Sequence, residues 1–127
     1  MVADRLGVPF DKITVRHGDT ATMPRGGGTG GSKSLVVGGS ALSKASDAVI
    51  EKALKVAAAM LEVSIDDLSF VHGGVQVQGA PERRLGLGEI AAAAQEGVGL
   101  PEGERGLKDD ADFAADVSAI PFAATVV

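Results

Sequence analysis

The sequence contains no cysteine, and that absence removes several kinds of site at once. Disulfide bonds, zinc sites built on thiolates and cysteine-ligated iron–sulfur clusters all need this side chain. Only two histidines are present, His17 and His72, and two are too few for a histidine-based metal site. We therefore expect no metal ligand set within these 127 residues.

Aromatic residues are almost as scarce, with four phenylalanines and no tryptophan or tyrosine. A nucleic-acid surface that stacks bases needs such rings, and the net charge of −5 also opposes non-specific binding to phosphate backbones. Long apolar runs are missing as well, so the sequence shows neither a signal peptide nor a membrane span. These absences predict a cytoplasmic protein without nucleic-acid or membrane partners.

The most informative stretch that is present spans residues 24–34, PRGGGTGGSKS, in which five of the eleven residues are glycine. It leads directly into the longest helical pattern of the chain. Glycine lets backbone approach a ligand closely, and a helix start presents unpaired N–H groups and the positive end of a macrodipole. A flexible linker has a similar composition. Two serines and Lys33 at the end of the stretch favour a phosphate site instead.

Two generic phosphate-binding patterns fit this stretch poorly. Gly26, Gly28 and Gly31 match the dinucleotide pattern G-x-G-x-x-G. The acidic residue that this pattern needs about 20 positions later would be Glu51, which lies inside a helical pattern. The pattern G-x-x-x-x-G-K-[ST] fails because one serine too many precedes Lys33, and no later apolar strand ends in an aspartate for magnesium. Neither pattern identifies the ligand.

Hydrophobic periodicity predicts an α+β domain, with one long helix plus shorter helices packed on a small mixed or antiparallel sheet. Apolar residues recur at spacings of three and four from position 32 to position 62, which predicts the long helix. Residues 1–9 resemble the last turn of a helix that is closed by Gly7 and then Pro9, and short helices are predicted at the capping box that begins with Ser64 and at residues 89–96.

Strands are predicted where apolar and polar residues alternate or where turn residues separate apolar runs. Residues 13–16 show the alternation, and the glycine pair at positions 73–74 marks a hairpin turn between two strands. Residues 85–87 predict a third strand after a polar connection at residues 80–84, whose two arginines are expected to face solvent. Residues 120–127 predict a closing strand.

Two carboxylates, Asp19 and Glu62, are candidates for a general base. Asp19 follows a glycine, a position where aspartate usually bonds to nearby backbone in a turn. Glu62 stands at the end of the predicted long helix. Because structural roles are far commoner in both settings, we expect no catalytic residue in this chain.

Several motifs together resemble the large-subunit molybdenum hydroxylases, the family of xanthine dehydrogenase, aldehyde oxidase and carbon monoxide dehydrogenase. The specific part of the similarity is the string from Gly26 to Ser34. Supporting similarity covers nearly the whole chain, at residues 6–9, 17–20, 38–41, 57–58, 61–62, 67–68, 73–74, 89–91 and 121–122.

The resemblance implies a role in binding the molybdopterin cofactor. Residues 1–127 would form a single domain, an excised portion of the larger molybdopterin-binding domain of a large subunit. The glycine loop would wrap the pterin dithiolene and its phosphate, in the cytosine dinucleotide form in bacterial members. The cofactor-binding residues implied are Gly30, Gly31, Ser32, Lys33 and Ser34.

The parent protein implied by the resemblance is a molybdenum-dependent oxidoreductase that hydroxylates aldehydes or N-heterocycles or oxidises carbon monoxide. Its partners would be the remainder of the large subunit and iron–sulfur and flavin centres on other domains or chains. The family's catalytic glutamate lies beyond the last residue here, so the isolated chain is expected to be inactive and to self-associate through its apolar ends. The alternatives are a non-catalytic phosphate- or nucleotide-binding module and a cofactor-free assembly piece.

Overall fold

The computed structural model describes residues 1–17, 19, 21, 34–109 and 111. The described residues form three α-helices, two short 3-10 helices and one three-stranded sheet. The α-helices are α1 (Val2–Leu6), α2 (Ser34–Leu61) and α3 (Leu87–Gln95), the strands are β1 (Leu68–Phe70), β2 (Gly74–Val77) and β3 (Ala80–Gly86), and the 3-10 helices are Phe10–Lys12 and Ile65–Asp67. This arrangement confirms the predicted α+β class.

Helix α2 is the scaffold against which the other elements pack. The buried residues of this helix are Ser46, Ala53, Val56 and Ala57. Because these side chains are small, the helix can lie close to the elements that it packs on. The helix ends where Glu62 takes a left-handed backbone conformation, with φ of 54°. The amide of Val63 then donates to the carbonyl oxygen of Ala58 at 3.2 Å, which closes the last turn. The helix predicted from the sequence is thus confirmed from Ser34 onwards.

The sheet is an antiparallel meander in the order β1-β2-β3. In the first hairpin, Val71 and Gly74 exchange two backbone hydrogen bonds, of 2.8 Å and 3.2 Å. The turn residues are therefore His72 and Gly73, whose φ angles of 48° and 73° belong to the tight turn that suits a twisted hairpin. The predicted hairpin is confirmed, but its turn lies one residue earlier than the glycine pair indicates, because His72 itself adopts the positive φ.

The second hairpin corrects the sequence prediction for residues 80–84. Val77 lies opposite Ala80 and Gln76 opposite Arg84, so residues 81–83 bulge out of the ladder. The prediction of a polar connection here was wrong, since all of these residues belong to β3. Pro81 is compatible with this strand because it lies in the bulge of an edge strand, where the ladder does not need its missing N–H.

The core lies between α2, the sheet and α3. Its largest fully buried side chains are Val56, Val75 and Ile90, one from each of these elements. The complete buried apolar set is Ala53, Val56, Ala57, Leu68, Val75, Val77, Ile90 and Ala94. These contacts join the three elements into one packed unit.

Lys52 is one of the residues that hold the segment after α3 on α2. Residues 96–109 contain neither helix nor strand, as the sequence predicts for residues 99–115 as far as they are described. The ammonium of Lys52 lies 2.9 Å from a carboxylate oxygen of Asp109 and donates to the carbonyl oxygen of Lys108 at 2.9 Å. Lys52 thereby fastens this long connection to the middle of α2.

Two predicted strands have different outcomes. The strand at residues 13–16 was wrong, because Phe10–Lys12 forms a 3-10 helix and residues 13–17 are irregular. Alternation produces a strand only where a neighbouring strand accepts its hydrogen bonds, and Val15 is 74% exposed. The strand predicted at residues 120–127 lies outside the described residues. None of the helices in the described part of the chain is long and apolar enough to cross a membrane.

Candidate functional site

The predicted phosphate loop leads directly to the start of α2. Ser34 is the first residue of this helix and is exposed. The other four predicted cofactor-binding residues, Gly30, Gly31, Ser32 and Lys33, lie outside the described residues. The structure describes the site from Ser34 onwards, in the first turn of α2.

The charge distribution along α2 suits an anion at its first turn. No acidic residue occurs in that turn. The first carboxylate of the helix is Asp47, thirteen residues after Ser34, which corresponds to about 20 Å along the helix axis. Lys44 carries the first charge on the helix, and it is positive. The positive end of the helix macrodipole is thus not neutralised by a side chain of its first turns.

In the same turns of α2, one glycine is not covered by any of the described residues. A Cβ atom placed on Gly38 would meet no other atom of the described residues within 4 Å. On either side of this glycine, Leu35 is 80% exposed and Leu42 is 48% exposed. A carboxylate-poor helix start beside an exposed, apolar, glycine-containing face is compatible with an anionic ligand and with a further segment packed on it.

The segment that precedes the glycine loop is attached to the hairpin through two glycines. Gly7 closes α1 with φ of 61° and lies against the turn of the first hairpin. A Cβ atom on Gly7 would lie 2.7 Å from the carbonyl carbon of His72 and 2.8 Å from the Cα atom of Gly73. The two backbones therefore touch, and no side chain fits between them.

A charged pair attaches α1 to α2. The Nε atom of Arg5 donates to a carboxylate oxygen of Asp47 at 2.7 Å, and a second guanidinium nitrogen contacts the same oxygen. Both side chains are about half exposed, so the ion pair alone contributes little to stability. Together with the glycine contact it fixes α1 against two separate elements.

The two candidate carboxylates make local contacts. The side chain of Asp19 accepts a hydrogen bond of 2.9 Å from the amide of Ala21, which is the turn role expected from the sequence. Glu62 is exposed and ends α2. That neither residue takes part in catalysis stays a prediction.

The candidate metal ligands are not brought together either. His17 and His72 are both exposed. Within the described ranges, no three histidine, cysteine, aspartate or glutamate side chains lie close enough to share a metal ion.

Sequence reasoning missed the roles of two adjacent arginines on β3. Arg83 donates to the carbonyl oxygen of Leu61 at 2.8 Å, and Arg84 donates to the carbonyl oxygens of Val71 and His72 at 3.0 Å and 2.6 Å. Both arginines are exposed, as expected, but each also donates hydrogen bonds to backbone carbonyls. Their position beside each other on one strand sends the two side chains in different directions, which the sequence alone does not connect to a particular carbonyl.

The whole chain, residues 1–127, matches the molybdopterin cofactor-binding domain, and the protein belongs to that family. It is 36% identical over 128 residues to the gamma subunit of the 6-hydroxypseudooxynicotine dehydrogenase complex of Paenarthrobacter nicotinovorans, covering 100% of this chain and 16% of that protein. It is 39% identical over 105 residues to the carbon monoxide dehydrogenase large chain of Hydrogenophaga pseudoflava, covering 81% of this chain and 13% of that protein. These matches confirm the family that the sequence motifs indicate.

A solved structure shows the same fold. The crystal structure of the Cu,Mo-CO dehydrogenase in its carbon monoxide reduced state superposes with a TM-score of 0.81 at 36% identity. The match covers 88% of this chain and 14% of that chain. The chain thus spans less than one fifth of the length of the relatives it matches.

Proposed function

We propose that this chain is the molybdopterin-binding portion of an oxidoreductase large subunit, and that its glycine loop holds the phosphate-bearing part of the cofactor. The observation that carries the proposal is the start of α2 at Ser34, directly after the loop, with no carboxylate in its first turn. Membership of the cofactor-binding family supports it. The binding residues are Gly30, Gly31, Ser32, Lys33 and Ser34.

The loop residues would divide the work of binding. Backbone N–H groups of the glycines and of the first helical turn would donate most of the hydrogen bonds to phosphate oxygens. The hydroxyls of Ser32 and Ser34 would add donors, and the ammonium of Lys33 would add a charge-assisted contact. Since most of the binding comes from the backbone, a side chain that blocks the approach of the backbone should weaken phosphate binding more than removal of the lysine charge does.

The cofactor would be molybdopterin in its cytosine dinucleotide form. When bound, its molybdenum would supply the oxidation of an aldehyde, an N-heterocycle or carbon monoxide, with electrons passing to iron–sulfur and flavin centres on other domains or chains. The part played by this chain is to hold and orient the cofactor. Residues 1–127 would form one domain within the larger molybdopterin-binding region of a cytoplasmic protein.

The remainder of the large subunit would cover the exposed apolar face at the start of α2. Leu35 and Leu42 lie one heptad apart, so they project from the same side of the helix, with Gly38 between them. Exposed leucines around a glycine are typical of a surface that another segment packs on closely. In the isolated chain, the same face would promote self-association.

The isolated chain would have no hydroxylase activity. It has no cysteine for an iron–sulfur cluster, and one loop supplies only a fraction of the contacts that bury a cofactor. Binding of the cofactor to the isolated chain would therefore be weak, and turnover of an aldehyde or purine with an artificial electron acceptor is expected to stay at background.

An equilibrium titration with molybdopterin, followed anaerobically by pterin fluorescence, tests the proposal. The wild-type chain should bind, and Gly31→Glu should abolish binding because it places a carboxylate and a bulky side chain in the loop. Gly88→Glu is the matched control, because Gly88 lies on α3 with no other described atom within 4 Å of an added Cβ. Equal binding by all three proteins would contradict the proposal. Binding of cytidine diphosphate without binding of the pterin would favour the alternative, a non-catalytic nucleotide-binding module.

A further inference from the structure

Residues 96–109, which we name the strap, cover one side of the core without forming a helix or a strand. Leu100 and Leu107 of the strap pack against the core but are only partly buried. None of the fully packed apolar residues of the described chain belongs to the strap, since all of them lie on α2, α3 and the sheet. The strap therefore adds much less apolar burial than these elements give one another.

The strap is bonded to the end of α3 at two places. The amide of Val98 donates to the carbonyl oxygen of Ala93 at 3.1 Å, and the amide of Gly106 donates to the carbonyl oxygen of Ala94 at 2.8 Å. The last carbonyls of a helix have no partner within the helix, and water can satisfy them as well as protein can. Loss of these bonds therefore need not unfold α3.

The first half of the strap meets α2 by direct contact between backbones. A Cβ atom added to Gly99 would lie 2.7 Å from the carbonyl oxygen of Lys55 and 2.9 Å from the Cα atom of Val56. Gly99 also has a positive φ, of 66°. A larger residue at this position must move the strap away from α2.

The second half of the strap meets α2 through charged groups. A surface depression of about 390 Å³ lies between Lys52 and residues 103–108, so packing is incomplete there. The ammonium of Lys52 lies 2.9 Å from a carboxylate oxygen of Asp109 and 4.0 Å from one of Glu104. This half is thus held by a partly exposed lysine more than by apolar packing.

The glycines of the strap favour its release. Four of them have positive φ angles, which are 81°, 66°, 86° and 79° at Gly97, Gly99, Gly103 and Gly106. Glycine gains more backbone freedom than any other residue when it is released from a fixed conformation. This entropy offsets part of the contacts that are lost when the strap leaves the core.

We propose that the strap opens and closes as one unit while α2, the sheet and α3 stay folded, and that Gly99 and Lys52 hold it closed. Opening releases the carbonyls at the end of α3 and uncovers the side of α2 around Val56. Segments with little apolar burial open at a lower free energy than the core does. The strap is a conformational device of this domain, and it does not depend on what the glycine loop binds.

Amide hydrogen exchange of the full 127-residue chain, measured by NMR at several urea concentrations below the unfolding transition, tests the proposal. Two backbone hydrogen bonds of equal length, 2.8 Å, are compared: Gly106 to Ala94 in the strap, and Leu87 to Gly73 in the core unit. Protection at Gly106 should be at least about tenfold lower and nearly independent of urea, because opening exposes little surface. Equal protection with equal urea dependence would overturn the proposal.

A core variant separates opening of the strap from unfolding of the domain. Val75 is fully buried on β2. Val75→Ala should lower the protection of Leu87 roughly tenfold, because the core loses packing, and should leave that of Gly106 unchanged. A parallel loss at both amides would show that the strap opens only when the domain unfolds, which contradicts the proposal.

Gly99→Ala tests whether the strap opens as one unit. It should lower the protection of Val98, beside it, and of Gly106, near the other end, by the same factor. Gly103→Ala is the matched control, since Gly103 has a φ of 86° but an added Cβ atom there meets no described atom within 4 Å. Gly99→Ala should have an effect at least about tenfold larger, because it adds a clash with α2 to the same backbone strain. A loss confined to Val98, or equal effects of the two variants, would overturn the proposal.

A lysine pair provides a second test if Gly99→Ala does not fold. Lys52→Met keeps an apolar side chain but removes the ammonium, and should lower the protection of Gly106 and Val98 alike by about fivefold. Lys55→Met, at an exposed lysine of the same helix, should leave both unchanged. Equal effects of the two substitutions, or an effect of Lys52→Met on Gly106 alone, would contradict the proposal.

Discussion

The guanidinium of Arg83 donates a hydrogen bond of 2.8 Å to the carbonyl oxygen of Leu61, the last residue of α2. The final carbonyls of a helix have no partner within the helix and form the negative end of its macrodipole. A cation from β3 at this position satisfies one of these carbonyls and joins the sheet to the end of the scaffold helix. The interaction links two residues that lie 22 positions apart.

Removal of this side chain should destabilise the fold modestly. We expect Arg83→Ala to lower the free energy of unfolding by about 1 kcal/mol, because the hydrogen bond is charge-assisted but exposed to solvent. Glu82→Ala, at the neighbouring exposed position of the same strand, should change it by less than about 0.5 kcal/mol. Urea unfolding followed by circular dichroism measures both. Equal effects of the two substitutions would show that the Arg83 bond contributes nothing.

The residue after α2 offers a stabilising substitution. Glu62 adopts φ of 54°, so Glu62→Gly should relieve backbone strain and raise the free energy of unfolding by about 1 kcal/mol. Glu96 ends α3 with φ of −81°, where glycine brings no relief and adds freedom to the unfolded chain. Glu96→Gly should therefore destabilise the protein. The same sign for both variants in thermal unfolding would contradict this account.

The packing of α3 should dominate the stability of the core. Ile90 is fully buried, and Ile90→Ala should cost about 2–4 kcal/mol through lost burial and the cavity that remains. Ile65 is 39% exposed, so Ile65→Ala provides a matched change at the surface and should cost about 1 kcal/mol or less. Denaturant midpoints compare the two. If Ile65→Ala proved as costly as Ile90→Ala, the assignment of the core would be wrong.

The exposed face of α2 should control self-association of the isolated chain. Leu35→Ser combined with Leu42→Ser should shift sedimentation velocity towards the monomer, because it removes the exposed apolar surface around Gly38. Ile65→Ser, a single exposed apolar residue elsewhere, should leave the distribution unchanged. If the double variant associates as the wild type does, the association surface lies elsewhere, and residues 120–127 become the next candidate.

The regular elements were predictable because their signals are local. The apolar spacing of α2, the glycine after α1 and the turn signal near position 73 each depend on a few neighbouring residues. The strand prediction at residues 13–16 failed because a strand also needs a pairing partner, which alternation does not supply. The first half of β3 was missed because Pro81 and three charged residues favour a connection locally.

The candidate site was predictable only in part. The glycine loop and the helix after it are visible in the sequence, and their family follows from the motifs. The contacts around them are not visible, because Arg5 and Asp47 lie 42 positions apart, and the meeting of Gly7 and Gly73 depends on how α1 packs on the hairpin. A glycine in the sequence indicates only that the backbone is free to adopt unusual angles. Whether it also lets two backbones touch can be seen only in the folded structure.

The central claim is that the loop at the start of α2 binds phosphate, and amide NMR during a titration with inorganic phosphate tests it most directly. The account predicts saturable shifts concentrated at Gly30–Ser34, weakened by Lys33→Ala and unchanged by Lys12→Ala, which removes a lysine from the end of a 3-10 helix. Observable but unresponsive signals at Gly30–Ser34, or saturable shifts located elsewhere in the chain, would contradict it.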